Sequence, residues 1–323
     1  MSRGVRGRFA ALLTVAALAT SAACTPSEGA QRPTSGQPDK VSAGVIALVP
    51  LAPIYLGKQK GFFSKRNIDL SLSTRQGGAA IVPGVVSGQF QIGYSGVTSL
   101  LLAASKGLPI KIVCNAAAST GEAGKDYSGV VVKADSPVRT AADLGGRTVA
   151  LNTLENIGDT TIRASVRKAG GDPKAVKFVE LPFSDMPAAL QAGRVDAIWA
   201  VEPFLTTAVG QGGRVVASNY VDAAPDLTAA TYFASKQLTT SNSDLVKRFT
   251  EAMTESLRYA DAHPDEARQV LGTYMQIAPE VVTKLTLPKW PTEINRRSVQ
   301  TLADLAVEDG LMDKARDVNA LLP

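Results

Sequence analysis

The chain has 323 residues, of which 45% are hydrophobic and 20% are charged, a globular composition long enough for two domains with buried cores. Its formal charge of +5 depends on Arg3, Arg6 and Arg8, and beyond residue 23 the chain carries 31 basic against 29 acidic side chains. No basic run interleaved with aromatic residues is present in the sequence, so we do not expect nucleic acid as a partner.

Residues 1–23 are predicted to be a secretory signal, because a basic start precedes an apolar run from Phe9 to Ala19 and small residues before Cys24. The stretch resembles a lipoprotein signal, which implies that Cys24 is lipidated. An ordinary cleavable signal with an incidental Cys24 is the alternative. Residues 24–40 are rich in Pro, Gly, Ser and Gln, and we expect a flexible tether. The other cysteine, Cys114, is expected to be a small core residue.

Residues 41–134 are predicted to form the first part of one lobe. Short apolar or alternating runs indicate strands, and the segments between them have the length and apolar spacing of helices. Strands that alternate with helices of this size favour parallel β/α layers. The predicted strands in this part are Val41–Val49, Ile68–Ser73, Phe90–Tyr94, Ile110–Val113 and Ser128–Lys133.

Residues 135–225 repeat the β/α pattern and are predicted to form a second lobe, with strands Arg147–Leu151, Lys177–Leu181 and Val195–Ala200. Residues 226–323 are expected to return to the first lobe through a strand, Thr228–Ser235, and to continue as helices. The first of these is a long amphipathic helix capped by Ser243. Two crossings between the lobes predict a hinge.

Two stretches share one plan. Val85–Leu100 and Ala188–Leu205 each contain a helix end, a Gly turn, a strand, a polar break and a new helix. In open α/β sheets, ligands bind beyond the carboxyl ends of strands, where helices begin. We therefore expect a ligand cleft between the lobes. The candidate ligand-binding residues in this position are Leu51, Ala52, Gln76, Gly77, Gly78, Tyr94, Ser95 and Gly96 in the first lobe, and Asn152, Asn156, Gly158, Asp159, Thr160, Trp199 and Glu202 in the second.

Several candidates have a structural alternative. Asn156 or Asp159 can cap the helix that follows instead of contacting a ligand, and Trp199 can be a core residue instead of a stacking wall for a planar ligand. Glu202 is either a solvated acid in the first turn of a helix or a cleft carboxylate that pairs with a ligand donor. The cations nearest the predicted cleft are Arg75 and Arg163.

Enzymatic chemistry has little support in the sequence. The single histidine, His263, precedes Pro264 at a helix junction, where a cap or solvated turn is expected. The sequence has no Cys/His cluster for a metal, no P-loop and no G-x-S-x-G motif. We therefore predict neither catalysis nor a bound metal or cofactor.

Six motifs in order carry a family resemblance: the lipoprotein-type signal, Gly61-Phe62-Phe63, Ser87-Gly88-Gln89, the segment 142–150, the segment 193–197, and Glu202-Pro203-Phe204. From Val41 to Pro323 the chain resembles the solute-binding proteins of ABC importers in the nitrate, sulfonate, taurine and thiamine-precursor group. The resemblance implies a type II periplasmic-binding-protein fold, with two α/β lobes joined by a two-crossing hinge. The cysteine-rich motif and histidines of the pyrimidine-synthesising relatives are missing here.

The function implied is capture of a small polar solute, either sulfonate-, nitrate- or taurine-like or pyrimidine-like, and its delivery to an ABC permease and ATPase. The protein is expected to be a monomer, lipid-anchored to the outer face of the cell membrane. Two other classes stay open: an extracytoplasmic ligand sensor for a signalling receptor, and an enzyme on the same two-lobe fold.

Overall fold

Ten strands form two five-stranded sheets in the computed structural model, which describes residues 36–314 and 318–323. Cys24, the signal and most of the predicted tether lie outside the described residues. In chain order the strands are β1 (Asp39–Val45), β2 (Ile68–Thr74), β3 (Ile92–Gly96), β4 (Ile110–Ala118), β5 (Ser128–Val132), β6 (Thr148–Leu151), β7 (Lys177–Glu180), β8 (Ala197–Val201), β9 (Arg214–Ala217) and β10 (Thr228–Ser235).

The two sheets have the same arrangement. The first has the order β2-β1-β3-β10-β4 and the second the order β7-β6-β8-β5-β9. The first three strands of each sheet are parallel, and the fourth, β10 or β5, is antiparallel to both of its neighbours. The expected parallel layers are therefore present, with one reversed strand in each.

Twelve helices cover the sheets in the described part of the chain. They are α1 (Ala52–Gln59), α2 (Gly78–Val86), α3 (Val97–Ser105), α4 (Ile157–Lys168), α5 (Met186–Gln191), α6 (Phe204–Gly210), α7 (Asn219–Ala223), α8 (Lys236–Ser241), α9 (Ser243–Ala262), α10 (Pro264–Gln269), α11 (Pro279–Val282) and α12 (Arg296–Glu308).

Burial explains why the sequence forms these elements. Every residue of β5 and β8 is buried, which fits their continuous apolar sequence, because helices cover both faces of the sheet. The long helix α9 buries one face through Leu245, Phe249 and Met253, at helical spacing.

Asn242, and not the predicted Ser243, caps α9, since its side chain accepts a hydrogen bond from Leu245 N. Cys114 is buried within β4, as expected.

The lobe boundary predicted at residue 134 is wrong by one strand. Strand β5, expected in the first lobe, pairs with β8 and β9 in the second sheet. The chain therefore crosses between the sheets at residues 119–127 and again at 218–227. Strand β9 was not predicted because its four residues follow a Gly-rich turn and two of its side chains are only half-buried. We call residues 39–118 with 228–323 lobe one, and 128–217 lobe two.

Candidate functional site

A cavity lies between the lobes at the carboxyl ends of strands from both sheets. Lobe one contributes the segments after β1 and the starts of α2 and α3, and lobe two contributes the start of α4 and the ends of β7 and β8. The cavity has a volume of about 40 Å³, which is room for roughly three waters. Its lining residues are Ile46, Leu48, Pro50, Gly78, Tyr94, Gly96, Ser99, Tyr127, Asn152, Thr153, Asn156, Ile157, Phe183, Trp199, Val201, Tyr220, Ala229 and Ala230.

The lobes are closed on each other around this cavity. Asn152 Nδ2 donates to Gln76 O at 2.9 Å, and Gln76 Nε2 donates to Asn152 O at 3.3 Å. Gly96 lies so close to lobe two that a Cβ added to it would be 2.9 Å from Ile157 Cγ2. Because the cavity between these contacts has room for only a few waters, a ring-sized solute requires the lobes to separate before it enters.

Lobe one presents unused backbone donors to the cavity. Gly77 and Gly96 precede α2 and α3, and neither helix has a side-chain cap. The first N–H groups of both helices are therefore free of side-chain acceptors, at the helix end that favours a hydrogen-bond acceptor or a negative charge. Gly78 is required by packing, because a Cβ there would be 1.9 Å from Ser95 Oγ.

The polar side chains of lobe two at the start of α4 are hydrogen-bonded within lobe two. Asn156 Oδ1 accepts hydrogen bonds from Gly158 N and Asp159 N at 2.7 and 3.1 Å, so Asn156 caps α4. Its Nδ2 donates to Asn152 Oδ1 at 2.7 Å. Two of the first backbone N–H groups of α4 are thus already hydrogen-bonded to the protein. The start of α4 therefore has fewer free donors for a ligand than the starts of α2 and α3.

Aromatic rings form the lobe-two wall. Phe183 lies 5.2 Å from Trp199, and Trp199 lies 6.4 Å from Tyr220, between ring centroids. Trp199 Nε1 donates to Ser128 Oγ at 2.9 Å, which fixes the indole against β5. Trp199 is 3% exposed and still borders the cavity. It is therefore a core residue and also part of the cavity wall.

Two buried phenols complete the cavity. Tyr94 comes from the end of β3 and Tyr127 from the first interlobe crossing, and both border the cavity. Burial raises the pKa of both hydroxyls well above the ordinary value, so both are protonated donors. Within the described residues neither hydroxyl has a hydrogen-bond partner, and neither oxygen is among the fully buried unpaired atoms, so both hydroxyls are open to the cavity. A solute in the cavity can therefore accept hydrogen bonds from both hydroxyls without displacing a protein partner.

The lining contains no charged side chain among the described residues. Arg75 packs its guanidinium over Phe90 and donates to Thr74 O. Arg163 pairs with Asp159 at 2.5 Å and donates to Pro173 O. Neither predicted cation reaches the cavity, so its polarity comes from neutral donors and aromatic faces.

Glu202 does not enter the cavity and is 1% exposed, so both of its interpretations, as a cleft carboxylate and as a solvated acid, are wrong. Its side chain is buried and accepts from Thr206 N, Thr206 Oγ1 and Thr286 N at 3.0, 2.7 and 3.1 Å. Its backbone joins the lobes as well, because Val49 N donates to Glu202 O at 3.1 Å. Burial raises the Glu202 pKa above its usual value, and the hydrogen bonds oppose that shift. Glu202 is a structural junction between the lobes.

Six of the fifteen predicted ligand-binding residues border the cavity, and nine do not. Leu51, Ala52, Ser95 and Thr160 are fully buried in the protein interior. Gly158 packs beneath Trp199, where a Cβ would be 2.4 Å from the indole. The bordering residues are Gly78, Tyr94, Gly96, Asn152, Asn156 and Trp199; the remaining non-bordering ones are Gln76 and Gly77 at the lobe contact, Asp159 in its ion pair, and Glu202.

Three aromatic lining residues were missed. Phe183 follows β7, so the argument from strand ends could have found it. Tyr127 and Tyr220 lie on the two crossings, and no motif in the sequence identifies a crossing in advance. Tyr127 and Tyr220 pack edge to face, with centroids 5.5 Å apart.

Other site types have no support in the described part of the chain. No group of three or more His, Cys, Asp or Glu side chains there is placed to hold a metal ion. No helix in residues 36–314 or 318–323 combines the length and the apolar character needed to span a bilayer.

Comparison with known proteins agrees with this architecture. An aliphatic sulfonates-binding protein of Escherichia coli is 26% identical over 196 residues, covering 58% of this chain and 60% of that protein. The riboflavin-binding protein RibY of Chloroflexus aurantiacus is 25% identical over 309 residues, covering 88% and 84%. The alkanesulfonate-binding protein SsuA of Xanthomonas axonopodis superposes with a TM-score of 0.76 at 18% identity, covering 90% and 99%.

Two mixed sheets, two crossings and an interlobe cavity define the periplasmic-binding-protein fold, the architecture of the solute-binding proteins of ABC importers. Residues 50–267 match the profile of the family described as NMT1/THI5 like. The chain belongs to this family.

Proposed function

We propose that the protein is the extracytoplasmic solute-binding subunit of an ABC importer and that the interlobe cavity holds its cargo. The observation that carries the proposal is the placement of this cavity, which both sheets reach with the carboxyl ends of their strands. Binding energy from both lobes favours the closed form over the open form. The closed form is then the one that a permease and its ATPase recognise.

The chemistry of the lining favours a cargo with an acceptor head and an apolar or planar body. The acceptor head faces the uncapped starts of α2 and α3 and the phenols Tyr94 and Tyr127. The body lies against Phe183 and Trp199. A cationic group has no carboxylate to pair with in the lining, and burying it unpaired is unfavourable. We therefore propose an anionic or neutral cargo, such as a sulfonate, a carboxylate or an uncharged heterocycle, and not an amine.

The named relatives bind compounds of more than one class, namely sulfonates and riboflavin. We propose that this chain binds without turnover, since the described residues that border the cavity include no charged side chain that could act as a general acid or base at neutral pH. If the bound compound is recovered unchanged after long incubation, the protein binds it without turnover and is not an enzyme on the same fold.

The neighbouring genes distinguish an importer subunit from a signalling sensor, because the genes next to an importer subunit encode a permease and an ATPase.

A thermal-shift series with a constant ring tests the cargo class. Benzenesulfonate, benzoate and benzamide carry acceptor heads, whereas benzylamine carries a cation on the same ring; an alkyl sulfonate, taurine, nitrate and an amino-pyrimidine complete the panel. A compound at a hundred times its Kd adds about 2.7 kcal/mol, which raises the Tm by roughly 5–10 °C. Shifts by acceptor-headed compounds alone support the proposal, and a shift by benzylamine or taurine alone contradicts it.

A further inference from the structure

Helix α4 of lobe two packs against α3 and α12 of lobe one, outside the cavity. At its far end Arg167 makes two ionic contacts with lobe one. Arg167 Nη2 lies 2.5 Å from Asp309 Oδ1, and Arg167 Nε lies 2.7 Å from Glu308 Oε1. None of these three residues borders the cavity.

The Arg167–Asp309 pair lies partly buried at the contact between the lobes. The Asp309 side chain is 1% exposed and the Arg167 side chain 30%. Burial raises the Asp309 pKa, and Arg167 opposes that shift. Arg167 Nη1 and Asp309 Oδ2 are buried without a hydrogen-bond partner. Within the described residues Arg167 is the one side chain that pairs with Asp309, so separating the lobes leaves this carboxylate without its partner.

The opposite end of α4 provides a contrast. Lys106 Nζ lies 3.5 Å from Glu155 Oε2, also between the lobes, but these side chains are 66% and 55% exposed. Exposed ion pairs contribute little, because water screens them and the long side chains lose conformational freedom. Removing one partner of a buried pair is far more costly, since the other charge is left without compensation.

We propose that Arg167 and Asp309 form an interlobe latch that sets the open–closed equilibrium, and so the affinity for cargo, without contacting the cargo. The latch rests on the proposed function, in which closure and binding are coupled. A solute that binds the closed form has an apparent Kd that rises as the closed fraction falls. Arg167 and Asp309 are thus affinity-determining residues remote from the cavity.

The latch can be tested without any cargo. Leu108 and Leu154 are exposed, and they lie two residues after Lys106 and one residue before Glu155, so they stand on opposite lobes beside the Lys106–Glu155 contact. Spin labels on Leu108→Cys and Leu154→Cys, in the purified chain with Cys24→Ala and the buried Cys114 retained, report the interlobe distance. We expect Arg167→Met to move this distribution to longer distances. Asp309→Asn, which leaves Arg167 paired with Glu308, should move it less.

Combining the two substitutions removes both charges. We expect Arg167→Met with Asp309→Asn to restore part of the short-distance population that Arg167→Met loses, because no uncompensated carboxylate is left to bury. With any solute that gives a thermal shift, Arg167→Met should weaken the affinity about tenfold, and the double variant should weaken it less. A longer distance in Asp309→Asn supports the latch even if Arg167→Met does not fold.

Two matched controls separate closure from folding. Arg248 pairs with Asp39 and Asp244 entirely within lobe one, so Arg248→Met should lower the Tm and leave the distances unchanged. Lys106→Met removes the exposed interlobe pair and should also leave them unchanged. Identical distance distributions for wild type, Arg167→Met and Asp309→Asn overturn the latch. Changed distances in a protein that binds no solute of the panel keep the latch and count against the proposed cargo class.

Discussion

Asn152 and Gln76 exchange hydrogen bonds between the two lobes, each donating its side-chain amide to the backbone carbonyl of the other, at 2.9 and 3.3 Å. Asn152 Oδ1 also accepts from Asn156 Nδ2, and Asn156 caps α4. The cap of a cavity-bordering helix in lobe two is therefore connected to lobe one through a single side chain.

Asn152→Asp should weaken cargo binding by about tenfold or more. The carboxylate keeps the acceptor that Asn156 uses, but it loses the donor to Gln76 O and places a charge beside that carbonyl, so closure is opposed. Titration calorimetry with a solute from the thermal-shift panel measures the change. Asn242→Asp is a control, because Asn242 caps α9 within lobe one, and it should leave the Kd within twofold. An unchanged Kd in Asn152→Asp would refute the closure role.

Tyr94→Phe should weaken binding three- to tenfold without lowering the stability of the free protein. The hydroxyl has no partner among the described residues, so the free protein loses no hydrogen bond, whereas a bound acceptor loses one worth about 0.5–1.5 kcal/mol. Isothermal titration and unliganded Tm give the two quantities. Tyr232→Phe, whose ring packs against Tyr94 but does not border the cavity, serves as control. Equal effects of the two variants on Kd would argue against a cargo contact by Tyr94.

Gly158→Ala should lower the free energy of unfolding by about 1–3 kcal/mol, the range for overpacked cores. The added methyl would lie 2.4 Å from Trp199 Cε3, so the indole must move. Urea denaturation measures the loss, and a change in tryptophan emission reports the displacement. Gly210→Ala is matched, since Gly210 also lies in a helix but has open space at its Cβ position. Gly210→Ala should not destabilise; equal stability of both variants would contradict the packing argument.

Glu202→Gln should change the pH dependence of stability. Burial raises the Glu202 pKa above its usual 4.5, so the folded state holds this proton more tightly than the unfolded state does. The resulting stability is complete below about pH 4.5 and is lost as the pH rises through the raised pKa. Wild type should thus lose more stability than Glu202→Gln between pH 5 and pH 7, measured by urea unfolding.

Asp143→Asn is the control for this measurement. Backbone hydrogen bonds from Thr140 and Arg139 lower the Asp143 pKa below 3.8, so this group stays ionised from pH 5 to 7 and its removal should not alter the slope. Parallel curves for wild type and Glu202→Gln would mean that Glu202 does not titrate differently in the folded state.

Cys24→Ala should release the protein from membranes if Cys24 is lipidated, since the described residues contain no helix able to span a bilayer. Fractionation of cells that express the wild type and the variant measures the bound share. Cys114→Ala is a control at the other cysteine, and it should leave the distribution unchanged. Continued membrane association of Cys24→Ala would remove the basis for a lipid anchor.

Local patterns in the sequence were sufficient to predict most of the strands and the presence of two lobes. Strand β10 was predicted with the bounds that the structure has, because its apolar run is flanked by clear breaks. Asn156 was expected to cap or contact, and Trp199 to pack or stack, since each lies where a strand ends and a helix begins. The repeat of one β/α plan correctly indicated two lobes.

Contacts between residues far apart in the sequence could not be predicted from local patterns. The sequence of β5 shows that it is a buried strand but not which sheet it joins, because its neighbours β8 and β9 lie about 65 to 90 residues later. Glu202 was misassigned because its partner Thr286 is far along the chain. Tyr127 and Tyr220 reach the cavity only because both crossings pass beside it.

The insertion of lobe two between two parts of lobe one constrains the order in which the protein is assembled. Lobe two is one continuous segment, 128–217, whereas the sheet of lobe one requires β10, which lies between β3 and β4. A chain synthesised from its amino terminus therefore has every strand of lobe two before lobe one can complete its sheet. During that interval β3 and β4 have no common partner, and their facing edges are open to other chains.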